Sequence, residues 1–124
     1  MDGINDPGNL GTIIRIADWY GISEIIASPD TVDIYNSKTL MATMGSFTRV
    51  RVIYVDLEQF LTEQKGKKIY GALLAGKNLH TTNLLPEGFL IIGNEANGIR
   101  PNILPYITDK ITIPRFGGAE SLNA

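Results

Sequence analysis

The chain has 124 residues, a formal net charge of -2 and 19% charged residues, a length and composition that fit one compact domain. The sequence contains no cysteine, which excludes disulfides, thiolate metal sites and cysteine nucleophiles. The net charge supplies no overall basic field, so a nucleic-acid partner would have to be held by local Arg and Lys groups or by another domain.

The first half of the chain predicts two helices and two strands. Apolar residues recur at helical spacing between a proline and a glycine, which predicts a helix over 8–20. The short apolar run 22–27 is typical of a buried strand. A second helix is expected over 36–44, and the β-branched run 49–55 predicts a second strand.

The second half continues the alternation of helices and strands. A short amphipathic helix is expected from Leu57, followed by strands over 69–74, 89–92 and 110–113. The segment 99–106 predicts a helical turn interrupted by two prolines. Because the strands alternate with helices and are nearly continuous in apolar residues, the sequence predicts an α/β fold, a parallel sheet covered by helices on both faces.

Polar and glycine residues gather in three segments that follow apolar runs: 6–11 together with Arg15, 93–98 and 114–123. Ligands of parallel α/β sheets bind beyond the carboxyl ends of the strands, so these segments are expected to converge on one site. Ordinary turns explain the same composition, and a phosphate cradle is another candidate. No dinucleotide or P-loop glycine motif follows a strand, which weighs against the phosphate cradle.

Three stretches resemble the signature motifs of the SpoU (TrmH) family of RNA ribose methyltransferases in order and spacing. They are DPGNLGTIIRIADWYG, LIIGNEANGIRP and ITIPRFGGAESLNA. The resemblance runs from Asp2 to Asn123, and the segment MGSFTRVRV at 44–52 also looks like the part of the family that leads into a middle strand.

This resemblance implies a SPOUT-type fold, in which a parallel α/β sheet carries a deep trefoil knot at its carboxyl end, against the general rarity of knots. It implies that residues 1–124 are the catalytic domain. The family's first strand, its C-terminal helix and an amino-terminal RNA-binding domain are expected to lie outside the sequence, which would leave the knot incomplete at residue 124. The resemblance also implies a homodimer and a reaction without a metal. Because the sequence shows neither a membrane-length apolar run nor a signal peptide, a cytoplasmic protein with no membrane partner is expected.

The resemblance also implies the site residues. S-adenosyl-L-methionine would be the cofactor, bound largely through backbone atoms at Leu74, Ala75, Gly93, Asn94, Glu95, Gly98, Ile113 and Leu122. The catalytic and substrate-side polar residues would be Asn9, Arg15, Glu95, Ser121 and Asn123.

Arg15 is an improbable base, because a guanidinium stays protonated up to a pKa above about 12. The hypothesis is that Arg15 clamps a substrate phosphate and stabilises the developing alkoxide, while Ser121 and Asn9 orient both partners. The alternatives are a solvated helix charge for Arg15, a capping carboxylate for Glu95 and a simple helix cap for Ser121.

Other conspicuous residues receive structural interpretations. His80 is expected in a surface loop rather than in the site. Trp19 and Tyr20 are assigned to core or dimer packing in preference to stacking on an RNA base. Scattered surface charge is the simpler account of four residues that could also contact phosphates: Arg49, Arg51, Lys110 and Arg115.

The leading functional hypothesis is a methyltransferase that modifies a ribose 2′-hydroxyl of tRNA or rRNA. A module that binds S-adenosylmethionine or RNA without catalysis is the alternative. A flavodoxin-like nucleotide binder would need a phosphate loop after the first strand, and the segment 6–9 is too polar and too poor in glycine to favour it.

Overall fold

A computed structural model describes residues 1–119 of the chain. The described α-helices are α1 (Pro7–Trp19), α2 (Ser37–Ala42) and α3 (Leu57–Thr62). The described strands are β1 (Glu24–Ala27), β2 (Arg51–Tyr54), β3 (Ile69–Asn78), β4 (Phe89–Ile91) and β5 (Asp109–Thr112). Short 3-10 turns lie at Ser46–Thr48, Leu79–Thr81 and Leu104–Tyr106.

Helix α1 begins where the sequence predicts it. Asp6 caps the helix by accepting a 2.7 Å hydrogen bond from Asn9 N, and Pro7 occupies the first helical position, where its missing N–H costs nothing. Helix α2 crosses α1 at Gly11, where a Cβ atom would lie 2.4 Å from the Cβ of Ala42. Glycine is therefore required at this crossing, which fixes the position of the amino-terminal turns of α1.

The strands form two parallel sheets, β1 with β2 and β3 between β4 and β5. Residues 1–3 lie between the two sheets and join them. On one side, Ser28 N donates to Met1 O at 3.0 Å, and on the other, Asp2 N donates to Ile92 O at 2.9 Å. The sheet order is thus β2, β1, residues 1–3, β4, β3, β5, and the predicted parallel α/β fold is confirmed.

Two strands differ from their predictions. Strand β2 pairs only with β1 among the described strands, so the segment 44–52 leads into an edge strand and not a middle one. Strand β3 continues to Asn78, whereas the sequence predicts its end at residue 74. The apolar run ends there, but the backbone shifts its register and returns to β5, because both Ala72 and Lys77 pair with Ile111.

The core consists of two hydrophobic clusters on opposite faces of β1. Ile25 and Ala27 point into a cluster with α1, and Ile26 points into the other, which α3 covers. Helices therefore cover both faces of this half of the sheet, as predicted. In the other half, α3 and the 3-10 turn Leu104–Tyr106 pack on one face, while Leu90 on β4 is 56% exposed. For that half the prediction of two covered faces is wrong for residues 1–119, because the alternation of β4 turns Leu90 away from α3.

Candidate active site

Two of the three polar segments meet at the carboxyl ends of the strands. Asn9 at the start of α1 donates from Nδ2 to Glu95 Oε1 at 3.3 Å, across 86 residues of sequence. The backbone N–H groups of Asn5 and Asp6 donate to the same carboxylate at 3.2 Å each. The predicted convergence is confirmed for these two segments, and the Asn9–Glu95 bond connects residues from the first and second motifs.

The loop that carries Glu95 is a tight turn that requires glycine at both ends. Asn94 and Gly98 exchange backbone hydrogen bonds of 3.0 and 2.9 Å, and Gly98 has a φ of 69°. A Cβ atom on Gly93 would lie 2.3 Å from the carbonyl carbon of Gly98. The backbone of this loop is therefore packed against itself, and Ala96 and Asn97 at its tip are exposed.

The side chain of Asn94 holds the loop from inside. Its Oδ1 accepts from Ala96 N and Asn97 N at 2.9 and 3.0 Å, and its Nδ2 donates to Gly3 O at 2.6 Å. This side chain is fully engaged within the protein. Any polar contact between Asn94 and a cofactor would therefore use its backbone carbonyl, which already accepts from Gly98 N and can accept a second hydrogen bond.

Glu95 is held in its charged form. Partial burial raises the pKa of Glu95, but the backbone N–H groups of Glu95, Asn5 and Asp6 and the amide of Asn9 donate to the carboxylate and together lower the pKa below its usual value of 4.5. An ionised carboxylate only accepts hydrogen bonds. Glu95 consequently fixes the segment that leads into α1, which agrees with the interpretation that it orients Asn9. The alternative, that Glu95 caps the turn that follows it, is wrong, because Asn94 Oδ1 accepts the N–H groups of that turn.

Arg15 lies on the exposed face of α1, six residues beyond Asn9. Six helical residues correspond to a rise of about 9 Å along the axis. Within residues 1–119 the Arg15 guanidinium makes neither a salt bridge nor a hydrogen bond to another side chain. The side chain is thus exposed, but the structure does not bring it to Asn9, since six residues also turn it about 120° around the helix axis.

The carboxyl ends of β3, β4 and β5 lie side by side. Gly71 pairs with both Ile91 and Lys110, and three residues further along each chain stand Leu74, Asn94 and Ile113. Leu74 is 91% exposed and Ile113 is 57% exposed, and Thr112 Oγ1 donates to Leu74 O at 3.2 Å. Leu74 and Ala75 lie in the irregular part of β3 rather than at its end, which corrects the expectation of a strand end there.

The third polar segment is described only to Ala119. Arg115 donates from Nη1 to Ala119 O at 3.0 Å, and within residues 1–119 no hydrogen bond joins 114–119 to either of the other two segments. The predicted site residues Ser121, Leu122 and Asn123 lie outside the described residues. Their convergence with Asn9 and Glu95 stays a prediction.

The sequence analysis missed a second set of polar residues behind this site. Gly3 N donates to Ser28 Oγ at 2.8 Å, and Ser28 Oγ lies 3.1 Å from Thr31 Oγ1 in a buried contact. Arg100 donates to Asp2, which is fully buried, and to Asp30. The available signal was position, but only for Ser28, Asp30 and Thr31, which follow β1 closely.

Three further expectations can be compared with the structure. His80 is exposed in the 3-10 turn Leu79–Thr81, so the prediction of a surface loop is confirmed. Core packing of Trp19 and Tyr20 is wrong, since the last turn of α1 leaves them 85% and 75% exposed. Their packing in a dimer stays a prediction.

Two of the arginines that could contact phosphates are engaged with carboxylates. Arg49 donates to Asp18 through Nε and Nη2 at distances from 2.7 to 3.1 Å, and Arg51 contacts Glu24. The Arg49 hydrogen bonds lower the pKa of Asp18. Surface ion pairs therefore account for both arginines, as the simpler interpretation predicts.

Residues 1–119 contain no group of three His, Cys, Asp or Glu side chains that could hold a metal ion. In the same part of the chain, no helix has the length and apolar content needed to cross a membrane.

The fold and the two meeting loops define a parallel α/β domain with its candidate ligand site at the carboxyl ends of the strands. The chain matches the SpoU rRNA Methylase family over residues 1–124 and belongs to this family. It is 36% identical to the 23S rRNA (guanosine(2553)-2′-O)-methyltransferase RlmP of Bacillus subtilis, over 99% of this chain and 51% of that protein. The chain thus spans about half the length of the curated relatives it matches.

Solved structures of similar proteins share the fold of this chain. A TrmH-family protein from Porphyromonas gingivalis has a TM-score of 0.89 at 38% identity, covering 98% of this chain and 51% of that one. An rRNA methyltransferase from Sinorhizobium meliloti with bound AdoMet has a TM-score of 0.89 at 35% identity, covering 98% of this chain and 48% of that one.

Proposed function

We propose that residues 1–124 form the catalytic domain of an RNA methyltransferase that transfers a methyl group from S-adenosyl-L-methionine to a ribose 2′-hydroxyl of rRNA or tRNA. The observation that carries this proposal is the hydrogen bond between Asn9 and Glu95, which joins the first and second family motifs at one end of the sheet. The relative at 36% identity is a 23S rRNA 2′-O-methyltransferase, which supports the reaction and the substrate class.

The residues at the carboxyl ends of β3, β4 and β5 suit the proposed cofactor. S-adenosyl-L-methionine would supply the methyl group from a positively charged sulfonium. The exposed side chains of Leu74 and Ile113 offer apolar surface to an adenine ring, and the backbone of 93–98 offers hydrogen-bonding groups beside it. We propose backbone contacts at Gly93, Asn94, Glu95 and Gly98, with Ala75 and Leu122 as further contacts.

Arg15 and Asn9 are the proposed substrate-side groups on α1. Methyl transfer is an in-line displacement, so the main task of the protein is to hold the ribose oxygen in line with the methyl carbon and its leaving atom. A guanidinium can bind a phosphate bidentately and stabilise negative charge that develops on the ribose oxygen. Glu95 accepts from the Asn9 amide and so fixes the orientation of Asn9.

The remaining parts of the proposal come from the family. We propose that Ser121 and Asn123 complete the substrate side, that the chain forms a trefoil knot at its carboxyl end, and that it works as a homodimer in the cytoplasm without a metal. The exposed apolar side chain of Leu90 supports a further covering layer over β4.

The decisive test is Arg15→Lys, measured by transfer of tritiated methyl groups from S-adenosylmethionine to rRNA. Because lysine keeps the charge but loses the bidentate fork, we expect methyl transfer to fall by about 10²–10³-fold. Binding of S-adenosylhomocysteine, measured by calorimetry, should stay unchanged. The matched control is Lys65→Ala, which removes an exposed cation outside the motifs.

Methyl transfer that yields no alkali-resistant dinucleotides in the RNA would contradict ribose methylation. Near-full activity of Arg15→Lys would contradict the clamp. A wild-type chain that binds S-adenosylhomocysteine and transfers no methyl group would support the alternative, a binding module without catalysis.

A further inference from the structure

Arg100 joins three strand exits through one side chain. Its backbone N donates to Asp2 Oδ2 at 2.7 Å and its Nε donates to Asp2 Oδ1 at 2.6 Å. Its Nη1 and Nη2 donate to the two oxygens of Asp30 at 3.2 and 3.3 Å. Arg100 follows β4, Asp2 belongs to the central segment 1–3, and Asp30 follows β1, so the guanidinium spans most of the edge that carries the candidate site.

The contact with Asp2 is obligatory for the fold. Asp2 is fully buried, and Arg100 accounts for the side-chain hydrogen bonds of both of its oxygens. Removing the charged partner of a buried carboxylate strongly destabilises the folded state. The contact with Asp30 is different, because the Asp30 side chain is 56% exposed and its removal leaves the buried pair in place.

Arg100 is also the second anchor of the loop that carries Glu95. The first anchor is Asn94, which donates from Nδ2 to Gly3 O at 2.6 Å. Between the two anchors the loop presents Glu95, whose carboxylate accepts from Asn9 at 3.3 Å. A displacement of Arg100 along the sheet edge would move this carboxylate relative to Asn9.

We propose that Arg100 is a positioning residue that bridges Asp2 and Asp30 and thereby fixes the loop 93–98 where Glu95 holds Asn9. It touches neither the RNA nor the cofactor, and it acts on cofactor affinity and turnover through the loop. This inference rests on the proposed function. Lysine cannot replace it, because a single ammonium lacks the planar fork that faces two carboxylates at once.

The experiment compares Asp30→Asn and Arg100→Lys in the full chain with the control Glu87→Gln, an exposed carboxylate outside the site. Four quantities are measured: the Kd of S-adenosylhomocysteine, kcat and KM for methyl transfer to a 23S rRNA transcript, amide hydrogen exchange of residues 94–98, and Tm. We expect both variants to lower kcat about tenfold, to raise the Kd about threefold and to speed exchange at 94–98, with KM for RNA within about twofold of wild type. For Asp30→Asn the Tm should stay within about 2 °C, since the buried pair remains.

The combination of Asp30→Asn with Glu95→Gln separates positioning from a purely structural role. If both residues act through the same loop, their effects on kcat should be non-additive, and the double variant should lose little more than Glu95→Gln alone. The proposal would be overturned if Asp30→Asn matched the wild type in kcat, in Kd and in amide exchange of the loop. A loss of both activity and stability in Arg100→Lys would not change that conclusion.

Failure of the proposed function would give a different result. If the wild-type chain binds S-adenosylhomocysteine without transferring methyl groups, the Kd and the exchange at 94–98 still decide the role of Arg100. If it binds no S-adenosylhomocysteine, unchanged exchange at 94–98 in both variants overturns the positioning role, and faster exchange in both supports it.

Discussion

The two halves of the sheet differ in how completely the chain satisfies their carboxyl edge. In the amino-terminal half, formed by β2, β1 and residues 1–3, helices cover both faces and buried polar groups such as Asp2 are paired. In the carboxyl-terminal half, formed by β4, β3 and β5, Leu90 is exposed on one face, and Leu74 and Ile113 are exposed at the carboxyl edge. At the carboxyl edge, the amino-terminal half pairs its polar groups within the protein, and the carboxyl-terminal half presents apolar side chains.

The hydrogen-bonded polar groups and the exposed apolar groups suit two different tasks in ligand binding. Asn9, which is proposed to face the RNA, is preorganised by its hydrogen bond to Glu95. The apolar groups proposed to face the cofactor have no such partners in the described structure, so their removal from water is available as a driving force for binding. On the proposed roles, the hydrogen bond serves to orient Asn9, and the exposed apolar side chains serve affinity for the cofactor.

The largest expected effect compares the two halves directly. Ile14→Ala removes a fully buried side chain from the cluster under α1 and should destabilise the fold by about 2–5 kcal/mol in urea unfolding. The matched variant Leu74→Ala removes an exposed aliphatic side chain and should change stability by less than about 0.5 kcal/mol. A similar loss of stability in both variants would show that Leu74 is covered in solution.

A smaller effect is expected at the loop after β4. Gly93→Ala introduces a Cβ atom 2.3 Å from the Gly98 carbonyl carbon, so the loop must shift, at a cost of about 1–3 kcal/mol. The Kd of S-adenosylhomocysteine should rise with it. The control is Lys65→Ala, which changes an exposed side chain outside the three motifs. Equal affinities in the two variants would exclude this loop from the proposed cofactor site.

The smallest effect concerns the pH dependence of Glu95. Its folded pKa is lowered, so its contribution to stability is present above its usual pKa of 4.5 and is lost as the pH falls through the lowered value. Glu95→Gln should therefore cost about 0.5–1 kcal/mol at neutral pH, because the group is partly exposed. The cost should shrink on acidification below pH 4.5, as followed by urea unfolding at several pH values. A cost independent of pH would show that hydrogen bonding to the charged form is unimportant.

Local sequence patterns predict where the helices and strands of this fold lie better than they predict which strands pair. Helix α1 is recognisable because its cap Asp6, its first-turn proline and its apolar stripe all lie within one short segment. The end of β3 is not recognisable from the sequence, since the register shift that continues the strand past Ala72 depends on pairing with β5. The rule that ligands bind at strand ends anticipates the meeting of Asn9 and Glu95.

The Asp2–Arg100 pair was beyond the reach of local patterns. Its members are 98 residues apart, and a single Asp near the start of a chain carries no signal of burial. Exposure of Trp19 was missed for a related reason, because an aromatic residue at a helix end is usually anchored by packing. The residue is instead 85% exposed.

The position of residues 1–3 in the middle of the sheet also has a consequence for the order in which the chain folds. Strands β1 and β2 pair with near neighbours in sequence, as do β3 and β4, so each half can assemble through short closures. The two halves join only when residues 1–3 have also reached partners in the other half, such as Arg100, which lies 98 positions from Asp2. Because the entropic cost of closing a loop rises with its length, we expect the halves, and with them the candidate site, to join late in folding.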